Sequence, residues 1–260
     1  MKKFIITLLA TVIAGAAGCS KSEQPDGPGR IALNSQTDCG LDTRAAVIPA
    51  AGDFVLRITG PDYDHTWERV SDFSAEETFF APGTYTAAIS WGDPEAEGPD
   101  ARAFYGESSF EIVPRRTIPV AITARIAHSA VAIRATEAFM RYFHEAHFTV
   151  TTATGNTFDF APDAATLTQT TAGRVTQADP VYVKPATSLS VTGSALRQTG
   201  TSVTFPEQQL ASTAARTCHT FTFDAPDAGS ASVAIYKGEE YVETRLLHIE
   251  LNDGAIPDHE

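Results

Sequence analysis

Three kinds of residue are scarce in this chain, and each scarcity removes a class of protein. Cysteine occurs three times in 260 residues, at positions 19, 39 and 218, and two cysteines 178 residues apart carry no disulfide framework of the kind that staples small secreted domains. Basic residues are outnumbered, 19 Lys and Arg against 32 Asp and Glu for a net charge of −13, and such a surface repels phosphate backbones, which excludes nucleic-acid binding. Methionine occurs twice and lysine is rare, whereas threonine, glycine and proline abound; β-branched and turn-forming residues suit pleated sheet better than helix. No repeat of 20 to 50 residues is visible, which removes solenoids and propellers. With 43% hydrophobic residues the chain still has enough apolar side chain to fold. An all-β protein is expected.

The one long apolar run lies at the start. Lys2 and Lys3 precede an apolar stretch from Phe4 to Ala17, too short to cross a bilayer as a helix and built like an export signal. Ala16-Ala17-Gly18-Cys19 resembles a bacterial lipobox, which implies that residues 1–18 are a removed signal peptide and that Cys19 carries the lipid. Several acyl chains there would hold the protein on the outer membrane. Ser20, without the aspartate associated with inner-membrane retention, points the same way. Residues 19–30, rich in Pro, Gly and charge, read as a flexible tether.

Beyond the tether, strand periodicity recurs. Phe54, Leu56 and Ile58 alternate with polar neighbours, as do Ile118, Val120, Ile122, Ala124 and Ile126. Thr78 to Ser90 reads as a hairpin around Pro82-Gly83, and Lys237 to Glu240 as a second. Glu137 to His144 has helical spacing behind Thr136 as a cap. The spacing predicts two tandem β-sandwich domains, Ig-like or transthyretin-like, over residues 31–127 and 128–252, with one short helix in the second and a polar tail at 253–260.

Chemistry finds few candidates. His144-Glu145-Ala146-His147 lacks the zincin spacing and a third ligand, so no metal or other cofactor is assigned; no Gly-x-Ser-x-Gly elbow or phosphate-cradling loop occurs, and the chain is read as non-enzymatic. Asp62 and Asp64 are candidate calcium ligands, as is the acidic loop with Asp93, Glu95, Glu97 and Asp100, against the alternative of solvated turns. Tyr63, Trp67, Trp91 and Tyr105 are candidates for a sugar-stacking platform, with Trp91 the better exposed and Trp67 and Tyr105 packed in the core. Cys39 and Cys218 form either a disulfide or two thiols.

Gly60-Pro61-Asp62-Tyr63-Asp64 with Trp67, Ala81-Pro82-Gly83-Thr84-Tyr85, Phe104-Tyr105-Gly106, the Ile112 to Ile126 strand, the Phe139 to Phe143 patch and the ending Glu243 to Leu251 resemble, as an ordered series, a family of surface lipoproteins from Bacteroidales-type gut anaerobes catalogued as a domain of unknown function. Their layout is also similar to the fimbrillins of those bacteria, lipoprotein pilus subunits with two β-sandwich domains. The resemblance implies a lipid-anchored cell-surface protein whose partner, besides the membrane, is a surface glycan or another protein. Adhesion or surface assembly, glycan capture and pilus building are the readings it leaves open. For the last, Arg44 is the candidate processing site, since a cut after it would strip away Ile31 and Leu33 and expose strand edges.

Overall fold

The computed structural model describes residues 27–38, 41, 48–170, 173–176, 179–225 and 230–249. The leader, Cys19, most of the tether, Cys39, Arg44 and the 253–260 tail therefore lie outside the described residues, as does any pairing of Cys39 with Cys218.

The first half holds β1 (Arg30–Asp38), β2 (Val55–Gly60), β3 (Tyr63–Trp67), β4 (Gly83–Trp91), β5 (Phe104–Ile112) and β6 (Thr117–Ile126). They form one six-stranded sheet in the order β1-β6-β5-β4-β2-β3. Between β5 and β6 the ladder holds only at Phe104↔Ile126 and Tyr105↔Arg125. Beyond those pairs the strands stay close, with Gly106 on β5 against the Thr123 carbonyl and Ala124 of β6. The alternating residues Phe54, Leu56, Ile58, Val120, Ile122, Ala124 and Ile126 are buried in one cluster with Ala87 and Ile89 of β4, while Ile118 is half-buried.

The hairpin expected over Thr78 to Ser90 is absent. Phe80 bridges to Gly29, not to β4, and β4 pairs with β2 and β5. Pro82-Gly83 does make the turn, with Gly83 at φ +152, but it delivers the chain into a central strand. Local turn chemistry fixes the bend, and the partner is chosen by which apolar faces are available.

The second half contains β7 (Ser129–Ala135), α1 (Glu137–Tyr142), β8 (Phe143–Thr152), β9 (Thr157–Phe160), β10 (Thr168–Thr170), β11 (Gly173–Val175), β12 (Val181–Val183), β13 (Leu189–Arg197), β14 (Ser202–Leu210), β15 (Cys218–Asp224), β16 (Ala231–Lys237) and β17 (Glu240–Leu247). A five-stranded sheet, β12-β7-β15-β16-β17, packs against a four-stranded one, β14-β13-β8-β9. The fold is all-β and sandwich-like, with one short helix. That helix stops at Tyr142 rather than His144, because the chain passes directly into β8 at Phe143. Thr136 caps it as foreseen, its Oγ1 accepting from the Phe139 amide at 3.1 Å.

Of the seven buried phenylalanines in the second core, five pack ring to ring. The Phe148 ring stacks on Phe223 at 4.1 Å and on Phe205 at 5.6 Å, while Phe143 meets Phe205 edge-on and Phe139 at 4.7 Å. Gly193 on β13 makes room for this stack, since a Cβ there would fall 2.2 Å from Phe148 Cδ1. Phe148→Ala should cost about 3–5 kcal/mol of unfolding free energy through the cavity it leaves, and Gly193→Ala about 1–3 kcal/mol through overpacking. Urea unfolding followed by tryptophan fluorescence and circular dichroism measures both, and a Gly193→Ala variant as stable as the parent would contradict this packing.

Candidate functional site

Two places gather polar or aromatic side chains. One is the junction of the two halves, where only Ala127 and His128 separate β6 from β7. The acidic loop between β4 and β5 folds across this junction. Gly98 and Tyr182 exchange a pair of backbone hydrogen bonds, each 2.9 Å. Glu97 reaches into the second half, where Oε2 accepts from Thr152 Oγ1 (2.9 Å), Thr154 Oγ1 (2.6 Å) and Asn156 Nδ2 (2.7 Å), and Oε1 accepts from the Lys184 amide (3.0 Å). Glu95 adds an ion pair to Lys184 Nζ at 3.1 Å. The acidic cluster considered for calcium is thus, at Glu95 and Glu97, a latch whose oxygens already have protein partners. Burial raises the Glu97 pKa, but the hydrogen bonds from Thr154, Lys184, Asn156 and Thr152 outweigh it, and the carboxyl titrates below its ordinary range.

His128 completes the latch from beneath. It is fully buried; Nδ1 accepts from the Ala103 amide at 3.1 Å, which leaves Nε2–H to donate to the Ala96 carbonyl at 3.0 Å. Burial depresses its pKa, against the pull of hydrogen bonds to Ala96 and Pro94 and of the Glu97 and Asp93 charges. His219 is buried nearby in the chain's second half, accepts from the Ala214 amide at 2.9 Å, and is likewise depressed by burial and by Lys237. Apolar contact spans the junction too, because Ala130 and Tyr182 belong to the first half's core. Sequence reasoning missed Glu97 and His128 as structural residues. Their only signal was position, an acid within a Gly- and Pro-rich loop and a histidine between two strand patterns.

The second place is β3, an edge strand on which Tyr63, His65 and Trp67 share one face. The His65 and Trp67 rings lie 4.3 Å apart, Trp67 meets Phe73 edge-on at 5.2 Å, and Tyr63 lies 5.1 Å from Phe80. Tyr63 and Trp67 are half-buried and His65 is exposed. Trp91 stands apart: its half-buried ring meets Phe104 at 6.1 Å, on the core face of β4. Tyr105, expected in the core, is instead exposed, its hydroxyl donating to Glu107.

The calcium pair is not assembled. Asp62 occupies the turn between β2 and β3 with φ +54, while Asp64 accepts from Arg57 Nε at 2.9 Å and Nη2 at 2.6 Å. A guanidinium therefore holds both Asp64 oxygens where a cation would need them. His144 and His147 lie on β8 and not on a helix, so they are not neighbours on one helical face. Among the described residues no group of three His, Cys, Asp or Glu is placed to hold a metal ion, and no helix is long and apolar enough to cross a membrane. Of the strand that a cut after Arg44 would remove, Ile31 is fully buried in the first core.

The latch gives stability a defined pH dependence. Below about pH 6.5 the unfolded chain takes up protons that buried His128 and His219 refuse, and below about pH 4.5 it takes up one that latched Glu97 refuses. Stability is thus full above pH 6.5 and falls as pH falls. Glu97→Gln should lose about 1.5–3 kcal/mol at neutral pH and flatten the lower limb, and His128→Gln should shrink the upper limb while His219 keeps part of it. Urea midpoints across about pH 2.5 to 8 read both effects; unchanged limbs would refute the assignment.

No curated protein matches the chain. Among solved structures it is similar to a fimbrial assembly protein from Parabacteroides distasonis ATCC 8503, with 9% identity, TM-score 0.45, 85% of this chain and 98% of that one covered. It is also similar to the fimbrial anchor protein Mfa2 from Porphyromonas gingivalis, with 11% identity, TM-score 0.37, 84% of this chain and all of that one covered. A family model, "Domain of unknown function (DUF4493)", matches residues 28–253, and the chain belongs to that family.

Proposed function

We propose that the protein is a non-enzymatic lipoprotein of the outer membrane and cell surface that serves as an adhesion or surface-assembly module, with residues 31–127 and 128–252 as two units joined end to end. The observation that carries the reading is the latch. Glu97, His128 and Tyr182 tie the units into one stiff body, the property a surface module needs to hold a binding face away from the membrane that anchors it. The lipobox at Cys19 supports the anchor, and the polar clusters of the junction have structural partners that explain them without chemistry. Labelling cells with a palmitate analogue tests the anchor: the wild type should take up label and Cys19→Ala should not, with the variant found in the soluble fraction. Label persisting in Cys19→Ala would remove the anchoring half of the proposal.

A second reading, glycan capture, is favoured by the ring row on β3. Sugars stack on aromatic faces, and this row belongs to an edge strand with His65 exposed beside Trp67. It centres on Trp67 and Tyr63 more than on Trp91, whose ring faces Phe104. A saccharide that changes tryptophan fluorescence should lose its effect in Trp67→Ala and keep it in Trp91→Ala; the reverse result, or a glycan array without hits, would count against this reading.

A further inference from the structure

Among the described residues, β17 pairs with β16 on one side and with no strand on the other. Its outer edge therefore presents unpaired backbone N–H and C=O groups, which proteins normally guard with Lys, Pro or short strand length. The edge strand of the opposing sheet, β14, follows that rule, with Pro206 and Glu207 at its centre. β17 is guarded by charge alone, through Glu240, Glu243 and Arg245, and by one bulge; it is eight residues long, without Pro or Lys, and it carries three large apolar side chains in the open: Tyr241 is 55% exposed, Val242 52% and Leu246 70%. Val242 is the extra residue of a bulge, with no residue opposite it on β16.

We infer that β17 pairs edge to edge with β17 of a second copy of this chain, antiparallel about a two-fold axis through Thr244. Charge selects both the occupant and the register. When Thr244 faces Thr244, Glu243 faces Arg245 of the second copy and Arg245 faces its Glu243, Val242 lies opposite Leu246, and Glu240 opposite His248. Sliding the pairing by two residues either way sets Glu243 against Glu243 or Arg245 against Arg245, and sliding it by one sets Val242 against Arg245 or Glu243 against Leu246. Opposite charges and apolar pairs directly across a ladder stabilise it, and like charges destabilise it. The strand is complementary to itself in one register. Within one copy Glu243 Oε1 already accepts from Arg245 Nε at 3.0 Å and from Nη2, and Arg245 Nη1 donates to the Gln209 carbonyl at 2.9 Å. Both charges are thus held in place before the second copy arrives. A two-fold contact of this kind is isologous and closes at the dimer.

This inference deepens the surface-assembly reading by naming the partner, and it is decided in solution whether or not the chain reaches a cell surface. The sample is the mature chain with Cys19→Ser, so that no lipid drives association, followed by sedimentation velocity over a concentration series. The wild type should dimerise. E243R and R245E should each weaken the dimer by about tenfold or more, since each sets like charges across the axis twice. An equimolar mixture of E243R and R245E should regain the dimer, because one variant then presents two positive charges to the other's two negative ones. L246K, at a side chain already 70% exposed, should also dissociate it while leaving the circular dichroism spectrum and thermal midpoint unchanged. A wild type that stays monomeric at every concentration, or an E243R and R245E mixture no tighter than either variant alone, would overturn the inference.

Discussion

The structure depends on how little chain separates its two halves. Between Ile126, the last residue of β6, and Ser129, the first of β7, there are two residues, so the ends of two sheets are forced together and water is squeezed from around their backbone. Buried amides and carbonyls must then find protein partners or cost a kilocalorie or more each. His128 meets that demand with its ring, accepting from Ala103 N–H and donating to the Ala96 carbonyl. Ser129 Oγ donates to the Ala214 carbonyl at 2.6 Å, and the Arg216 amide donates to the His128 carbonyl at 2.9 Å. A short link thus recruits one loop from each half, and the Glu97 latch is the outer layer of the same arrangement.

Because the loops are recruited, the cores are not independent. Ala130 on β7 and Tyr182 on β12 pack into the first half's cluster, while their neighbours Val131, Val181 and Val183 pack into the second. β7 is therefore buried on both faces, which explains why it reads as the near-continuous apolar run Ala130-Val131-Ala132-Ile133 and why it can pair parallel with β15 at the centre of its sheet. The boundary between the halves runs through a strand pair instead of through a linker, and relative motion of the halves would break core contacts as well as hydrogen bonds.

Much of this was legible. The alternation along β2 and β6 identified one buried face each, the cap at Thr136 placed the helix start, and Lys237 to Glu240 placed the last hairpin, with Gly238 at φ +65. These are local signals, in which a residue's neighbours in sequence are also its neighbours in space. The expectation of a Thr78 to Ser90 hairpin failed because pairing is not local: Phe80 finds Gly29, some fifty residues away in the chain, and β4 finds β2 and β5. Trp91 was misjudged for the same reason. Gly92 and a polar loop follow it, but parity along β4 puts it on the face of Tyr85, Ala87 and Ile89. Glu97 was legible as a carboxylate and not as a latch, since its four donors come from residues 152 to 184.

Groups whose protonation is displaced also bear on what the polar residues do. Displaced titration marks either a reactive cleft or a structural network, and here the partners decide between them. His128 is lowered by burial and His219 by burial and the Lys237 charge, Glu97 is lowered by hydrogen bonds from a backbone amide and neutral side chains against its burial, and Asp64 is lowered by Arg57 on the open surface of β2 and β3. Of the polar side chains brought inside, His128 and Glu97 join the two halves, while Thr176, Thr213 and His219 bond within the second. Among the described residues, the groups facing outward include the ring row on β3 and the strand edge at β17. Rings and strand edges can recognise by stacking, by apolar contact and by sharing backbone hydrogen bonds, and such recognition depends on ring spacing and strand register.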